Sequence, residues 1–151
     1  MPDIEAFWQR FLRETGRDPA TQYYDCFYFD LTEKNANELL ALVLEGKKKA
    51  TASSLYAFEA EGRELPGPGT LSIVTDFAGN PRCVMETTAV TVLAFKDMTF
   101  ALCSLEGEDD CLFSWQRSHT RFFTEEGKQL GYLFTEEMPV VFEEFAVVYQ
   151  I

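Results

Sequence analysis

Leu44-Glu45-Gly46-Lys47-Lys48-Lys49-Ala50-Thr51 is the stretch on which the fold turns. On its N-terminal side, the spacing of Ala36, Leu39, Leu40, Val43 and Leu44 predicts an amphipathic helix, N-capped by Thr32 and ended by Gly46. On its C-terminal side, ATASSLYAFEAEG predicts a tight bend or short strand, then one or two helical turns. Lys48 and Thr51 therefore follow a helix end, three residues apart. In a straight strand such positions face opposite ways, whereas in a turn they can converge. Converged, Lys48 can act as a general base toward Thr51 or a water, if like-charged Lys47 and Lys49 or an apolar wall favour its neutral form. The simpler alternative is three solvated lysines complementing the negative end of a helix dipole.

Working outward, Ile4, Phe7, Trp8, Phe11 and Leu12 fall on one stripe, which predicts a helix over 3–15 closed by Gly16. QYYDCFYF (22–29) suits a strand or an extended arm. Beyond the proline-stiffened loop ELPGPGT (64–70), Leu71–Thr75 and Arg82–Phe95 predict a hairpin across DFAGNP, the second strand bending near Thr87–Thr88 because it is too long to stay straight. A helix over about 111–123 follows the acidic loop EGEDD, a short helical stretch begins at Thr124, and Pro139–Tyr149 closes the chain as a strand. Helices come first and strands mostly later, so the class is α+β, with the strands curling into a small barrel that hides their edges.

A chain of 151 residues, 46% of them apolar, fits one domain with its own core and needs no disulfide or metal to fold. Four cysteines without a C-x-x-C pair and a single histidine, His119, argue against a zinc site. No signal peptide or membrane span is legible, and free thiols in such a chain read as cytoplasmic. The net charge of −12 disfavours generic binding of a phosphate backbone, while leaving room for one locally positive cleft at Lys47–Lys49.

Read as G-x-K-x-x-T, Gly46, Lys48 and Thr51 directly after an amphipathic helix resemble the signature of the ASCH domain family. The PGPGT loop, the GNPRCVMETTAV hairpin, the EGEDD…W-x-x-x-H-x-x-F-F run and the closing PVVFEEFAVVY strand agree with it. Together they resemble a longer bacterial branch over roughly residues 25–150, which makes residues 1–151 one ASCH-like domain with 1–24 as an N-terminal helical extension. The resemblance implies a small PUA-like β-barrel surrounded by helices. It also implies a cleft beside the motif that binds a nucleoside, a nucleotide or a short RNA, without metal, cofactor or membrane. Some small members are amidohydrolases of acylated cytidine nucleosides, and ribonuclease activity is proposed for others. In the hydrolase case Lys48 is the base, Thr51 the nucleophile or water-positioner, and Glu106 the acid, with Glu108 its close competitor. The alternatives are an RNA-binding or ribonuclease module and a non-catalytic domain holding a small regulatory ligand.

Other residues carry two readings each. Gly46 belongs to the motif and counts as a ligand-side residue, and Tyr56, just beyond it, either lines the cleft or packs. Arg82 at the hairpin exit matches a phosphate or carboxylate, or pairs with a surface acid. Arg117 and Arg121 form a basic stripe that reads as a solvated face. Trp115 either stacks on a base or is core, and His119, four residues on, shares its face as a structural histidine.

Overall fold

The computed structural model describes residues 3–151, so the first two residues of the 1–24 extension lie outside it. Helix α1 (Ile4–Thr15) starts where the Asp3 carboxylate accepts the Ala6 N–H, and it buries Phe7, Trp8, Phe11 and Leu12. Strand β1 (Asp25–Phe27) is all that becomes regular of the aromatic segment 22–29. Helix α2 (Glu33–Leu44) is capped by Thr32, whose hydroxyl accepts the Asn35 N–H at 3.2 Å. Thr32→Ala is expected to cost about 1 kcal/mol of stability, read from the shift of the urea midpoint at constant slope.

Strand β2 (Ala50–Ser54) runs into α3 (Leu55–Ala60), and β3 (Leu71–Thr75) forms the hairpin with β4 (Pro81–Ala94). Two 3₁₀ turns, Phe95–Asp97 and Ser104–Glu106, flank the short α4 (Phe100–Cys103). Helix α5 (Leu112–Leu130) and strand β5 (Pro139–Gln150) complete the order. The sequence suggested a break at Thr124, but α5 is continuous. Its Thr124 hydroxyl donates back to the Thr120 carbonyl at 2.6 Å instead of capping a new helix.

The five strands form one sheet in the order β1-β3-β4-β5-β2, with β1 parallel to β3 and the other pairs antiparallel. Strand β4 shifts register against β5 between Val84 and Met85 and again between Thr87 and Ala89. An extra residue in one strand of a pair bends and twists it. The first half of β4 therefore pairs on both sides, while its second half turns away with β5 and β2 toward α5. The result is a curled half-barrel with β1 and β2 as edges, where the sequence suggested closure.

Alternation along the strands distributes the core. Ile73 and Val84 face the aromatic stripe of α1, whereas Val74, Cys83 and Met85 meet Leu40 and Val43 of α2. Val140 and Phe142 pack with Trp115 and Phe123 of α5. The cysteines are free thiols, and among the described residues no helix is long and apolar enough to cross a membrane.

Candidate functional site

The end of α2 creates the site. Gly46, at φ +78°, reverses the chain, and the Lys47 and Lys48 N–H groups both reach the Leu42 carbonyl, at 2.9 and 3.1 Å. This turn sends Lys48 inward and leaves Lys47 and Lys49 in solvent, Lys47 paired with Glu45. The like-charged surroundings expected from the KKK run are therefore absent.

Lys48 meets acids instead. Its Nζ donates to Glu108 Oε2 at 2.6 Å and to the Ala50 carbonyl at 2.8 Å. It also lies 3.7 Å from Glu106 Oε1 and 5.3 Å from the centre of the Phe29 ring. These are the contacts of a cation. A base needs a lone pair free toward its proton donor, and the acceptors around Nζ take the directions such a lone pair would need.

The carboxylates arrive on the 3₁₀ turn and the loop before α5. That loop is fastened to the motif by Lys49 N–H donating to the Leu105 carbonyl at 2.7 Å, and Gly107 packs directly on the Lys47 backbone. Glu106 is only 2% exposed; Trp115 Nε1 donates to its Oε2 at 2.6 Å, and His119 Nε2 stands 3.5 Å from its Oε1. The His119 ring stacks on Trp115 at 4.2 Å, and its Nδ1 donates to the Trp115 carbonyl at 2.9 Å. One turn of α5 thus aims an indole and an imidazole at one carboxylate.

Burial alone would raise the carboxyl of Glu106, but the His119 hydrogen bond and the Lys48 charge outweigh it, and the net direction is down. Burial likewise opposes charging of His119, yet Glu106 prevails and holds the imidazole above its usual value. Glu108, whose side chain is 25% exposed, is the more accessible acid and the closer to Lys48.

These groups border a cavity of about 110 Å³ in which Lys48, Thr51, Glu106, Glu108 and His119 share the lining. A larger chamber of about 220 Å³ adjoins it, the two having Phe29, Asp30, Thr51, Ala52 and Phe122 in common. Tyr24, Phe27, Tyr28 and Phe58 add aromatic wall to the chamber, and Glu143 of β5 lies beside Thr51, its cross-strand partner. Burial pushes the Glu143 carboxyl up, and Asp25 adds to this, while the Thr87 hydrogen bond only partly offsets it.

Three expected ligand-side residues line neither cavity. Arg82 is the second residue of β4, at the hairpin end and next to Cys83, which pairs with Gln150; the hairpin exit lies at the opposite end of the strand from the motif. Tyr56 packs on the α5 core, its ring 4.8 Å from that of Tyr132. Gly46 serves the turn alone. Arg117 and Arg121 are exposed and also off the cleft, and Trp115 is core. Conversely, the structure adds Glu143 to the lining and brings His119, read from the sequence as a structural histidine, to the edge of the smaller cavity. A carboxylate amid the apolar run VVFEEF was the available signal for Glu143, and for His119 it was its place one turn beyond a buried Trp.

Among the described residues no three His, Cys, Asp or Glu side chains are grouped to hold a metal ion. Between Glu106 and Glu108, the ammonium of Lys48 stands where a cation would.

A comparison with curated proteins returns no match. Among solved structures, protein EF3133 from Enterococcus faecalis is 32% identical with a TM-score of 0.88, over 96% of this chain and 87% of that one. An ASCH domain from Lactobacillus crispatus is 30% identical with a TM-score of 0.86, over 99% of this chain and 97% of that one. Hypothetical protein PH0355, at 18% identity and a TM-score of 0.53 over 84% of this chain and 100% of that one, shares the fold alone. The family model described as ASCH domain matches residues 25–149, and with the curled sheet, the flanking helices and these relatives it establishes that the chain belongs to the ASCH domain family, with its PUA-like fold.

Proposed function

We propose that the cleft holds one nucleoside, with its base in the aromatic chamber, and that the Lys48 cluster hydrolyses an amide carried by that ligand. The observation that carries this is adjacency: a chamber walled by rings shares Thr51 with a smaller cavity that holds a buried lysine flanked by two carboxylates. The two spaces together fall near the lower end of the roughly 300–1,000 Å³ of small-molecule sites. Rings offer a base stacking worth about 1–3 kcal/mol.

The roles follow from access. Thr51 presents a hydroxyl at the junction, as nucleophile or as the holder of a water. Glu108 takes the proton of the attacking oxygen as the new C–O bond forms, and returns it to the leaving amine when the C–N bond breaks. Lys48, as an ammonium, holds Glu108 at the junction and lends the site its positive charge, in place of the base role suggested by the lysine run. Glu106, with Oε2 taken by Trp115 and Oε1 facing Lys48 and His119, holds those two in position rather than acting as the acid.

A phosphate-bearing strand fits this cleft less well. The chamber has Asp25, Asp30, Glu61, Glu126 and Glu143 against Arg63 alone, and Asp25 and Glu61 already pair with that arginine. Arg82, Arg117 and Arg121, which would extend a basic strip, lie elsewhere.

The test is to incubate the protein and its Thr51→Ala variant with N-acylated nucleosides and, separately, with a pool of short RNAs, following products by mass. Free nucleoside should appear with the wild type and fall by about a hundredfold or more with Thr51→Ala. Cleavage of the RNA pool that depends on Thr51 would replace this proposal with a ribonuclease. Absence of both turnover and nucleoside binding would end it.

A further inference from the structure

We infer that Glu143 is the specificity-determining residue of the larger chamber: Thr87 holds one of its oxygens, and the other engages an N–H donor on the ligand. The residue stands in the middle of β5, where the neighbouring Val141, Phe142 and Phe145 are buried and apolar. A carboxyl at such a position costs stability unless its oxygens are satisfied. Thr87, which adjoins the register shift between Thr87 and Ala89, donates to Oε2 at 2.6 Å. Among the described residues no side chain or backbone donor engages Oε1, while Glu143 itself borders the chamber.

The neighbouring groups exclude a cation of the protein as the missing partner. Arg63, the basic residue of this chamber, is held by Asp25 at 3.0 Å and by Glu61 at 3.3 Å. The Glu126 carboxylate receives the hydroxyls of Ser54 and Tyr132, both at 2.7 Å. Asp30 accepts the Leu31 N–H. What remains open to a ligand is thus an acceptor in an acidic, ring-walled space. An amino-heterocycle or a primary amide suits it, and an anion does not.

Thr51 faces Glu143 directly across the β2–β5 pair, and side chains so placed have Cβ atoms about 4.5–5.5 Å apart. A ligand whose N–H group rests on Glu143 therefore presents its neighbouring atoms to the Thr51 hydroxyl. This deepens the nucleoside proposal, resting on it only for the identity of the natural ligand.

The test uses two small probes of similar shape, 2-aminopyridine and benzoate, titrated into isotope-labelled protein by NMR. Wild type should bind 2-aminopyridine through the amides of β2 and β5 and show no comparable binding of benzoate. Glu143→Leu should weaken 2-aminopyridine by about tenfold or more, the worth of one charge-assisted hydrogen bond. Glu143→Gln keeps a carbonyl acceptor and should retain binding within about threefold, with benzoate now tolerated. Both variants should unfold cooperatively, Glu143→Gln near the wild-type midpoint and Glu143→Leu below it, because leucine leaves the buried Thr87 hydroxyl without its acceptor. The inference is overturned if Glu143→Leu binds 2-aminopyridine as well as wild type, if wild type takes benzoate equally, or if wild type binds neither. Glu143-dependent binding of 2-aminopyridine without binding or turnover of any nucleoside would remove the nucleoside proposal and leave this one standing.

Discussion

Lys48→Met is expected to lower the free energy of unfolding by about 3–5 kcal/mol, the range for breaking a buried ion pair from one side. The cost comes from what stays behind. Glu106 is 2% exposed, and Trp115 can donate to only one of its oxygens, so without Lys48 the carboxylate keeps His119 alone as a cationic partner. Glu108 is less affected because water reaches it. Adding Glu106→Gln should recover more than half of the loss, because it removes the orphaned charge. Urea unfolding of the two single variants and the double one measures the coupling directly. A loss in the double variant equal to the sum of the single losses would mean that Lys48 and Glu106 do not stabilise one another.

The pH dependence follows with a definite sign. The folded value of Glu106 is depressed, so its contribution is present above the ordinary carboxylate range and is lost as pH falls through the depressed value. Removing Lys48 removes one cause of that depression, and the acid limb of the stability curve should move to higher pH. His119 is raised, so its contribution is complete below the ordinary imidazole range near 6.5 and is lost as pH rises through the folded value. The deficit of Lys48→Met should therefore widen on the alkaline side, where the imidazole loses its charge. A deficit constant across that range would exclude His119 as the second partner.

Gly107→Ala should cost about 2–4 kcal/mol in stability and, where turnover is measurable, reduce it by at least about tenfold. The residue sits at φ +73°, and an added Cβ would lie 2.3 Å from the Lys47 carbonyl oxygen and 3.2 Å from the Lys48 nitrogen. Those atoms are backbone in the motif turn, so no side-chain rotation relieves the overlap. The acidic loop must back away, breaking the Lys49–Leu105 bond and withdrawing Glu106 and Glu108 from Lys48. Gly46→Ala is the control. Its φ of +78° imposes a similar left-handed penalty of about 1–2 kcal/mol, but nothing lies within 4 Å of the added carbon. Equal losses in the two variants, measured by urea unfolding, would mean that the close approach at Gly107 does not hold the site together.

The helices and the β3–β4 hairpin were legible because their signals are local. Phe7, Trp8, Phe11 and Leu12 repeat at helical spacing, and Thr32 and Gly46 bracket α2 with their own hydrogen bonds. The bend in β4 was legible too, since fourteen residues in one strand call for a shift, and one falls at Thr87–Ala89. The motif pair was legible from its place after a helix end as well as from resemblance, but the charges that surround Lys48 were not. Three adjacent lysines look like one positive cluster in sequence, whereas a turn separates them, burying Lys48 and leaving its neighbours in water.

What the sequence determined by itself is thus the α+β class, the main elements and the location of the motif, all properties of residues within a few positions of one another. Only the tertiary structure decided which charges meet. Glu106 and Glu108 reach Lys48 across about sixty residues, His119 reaches Glu106 because α5 lays Trp115 against the sheet, and Glu143 reaches Thr51 through strand register. The same packing put Arg82 at the wrong end of β4 and Tyr56 in the core. A buried charge is placed by the requirement that it find a partner, and that partner is chosen by how distant segments pack, which local spacing does not encode.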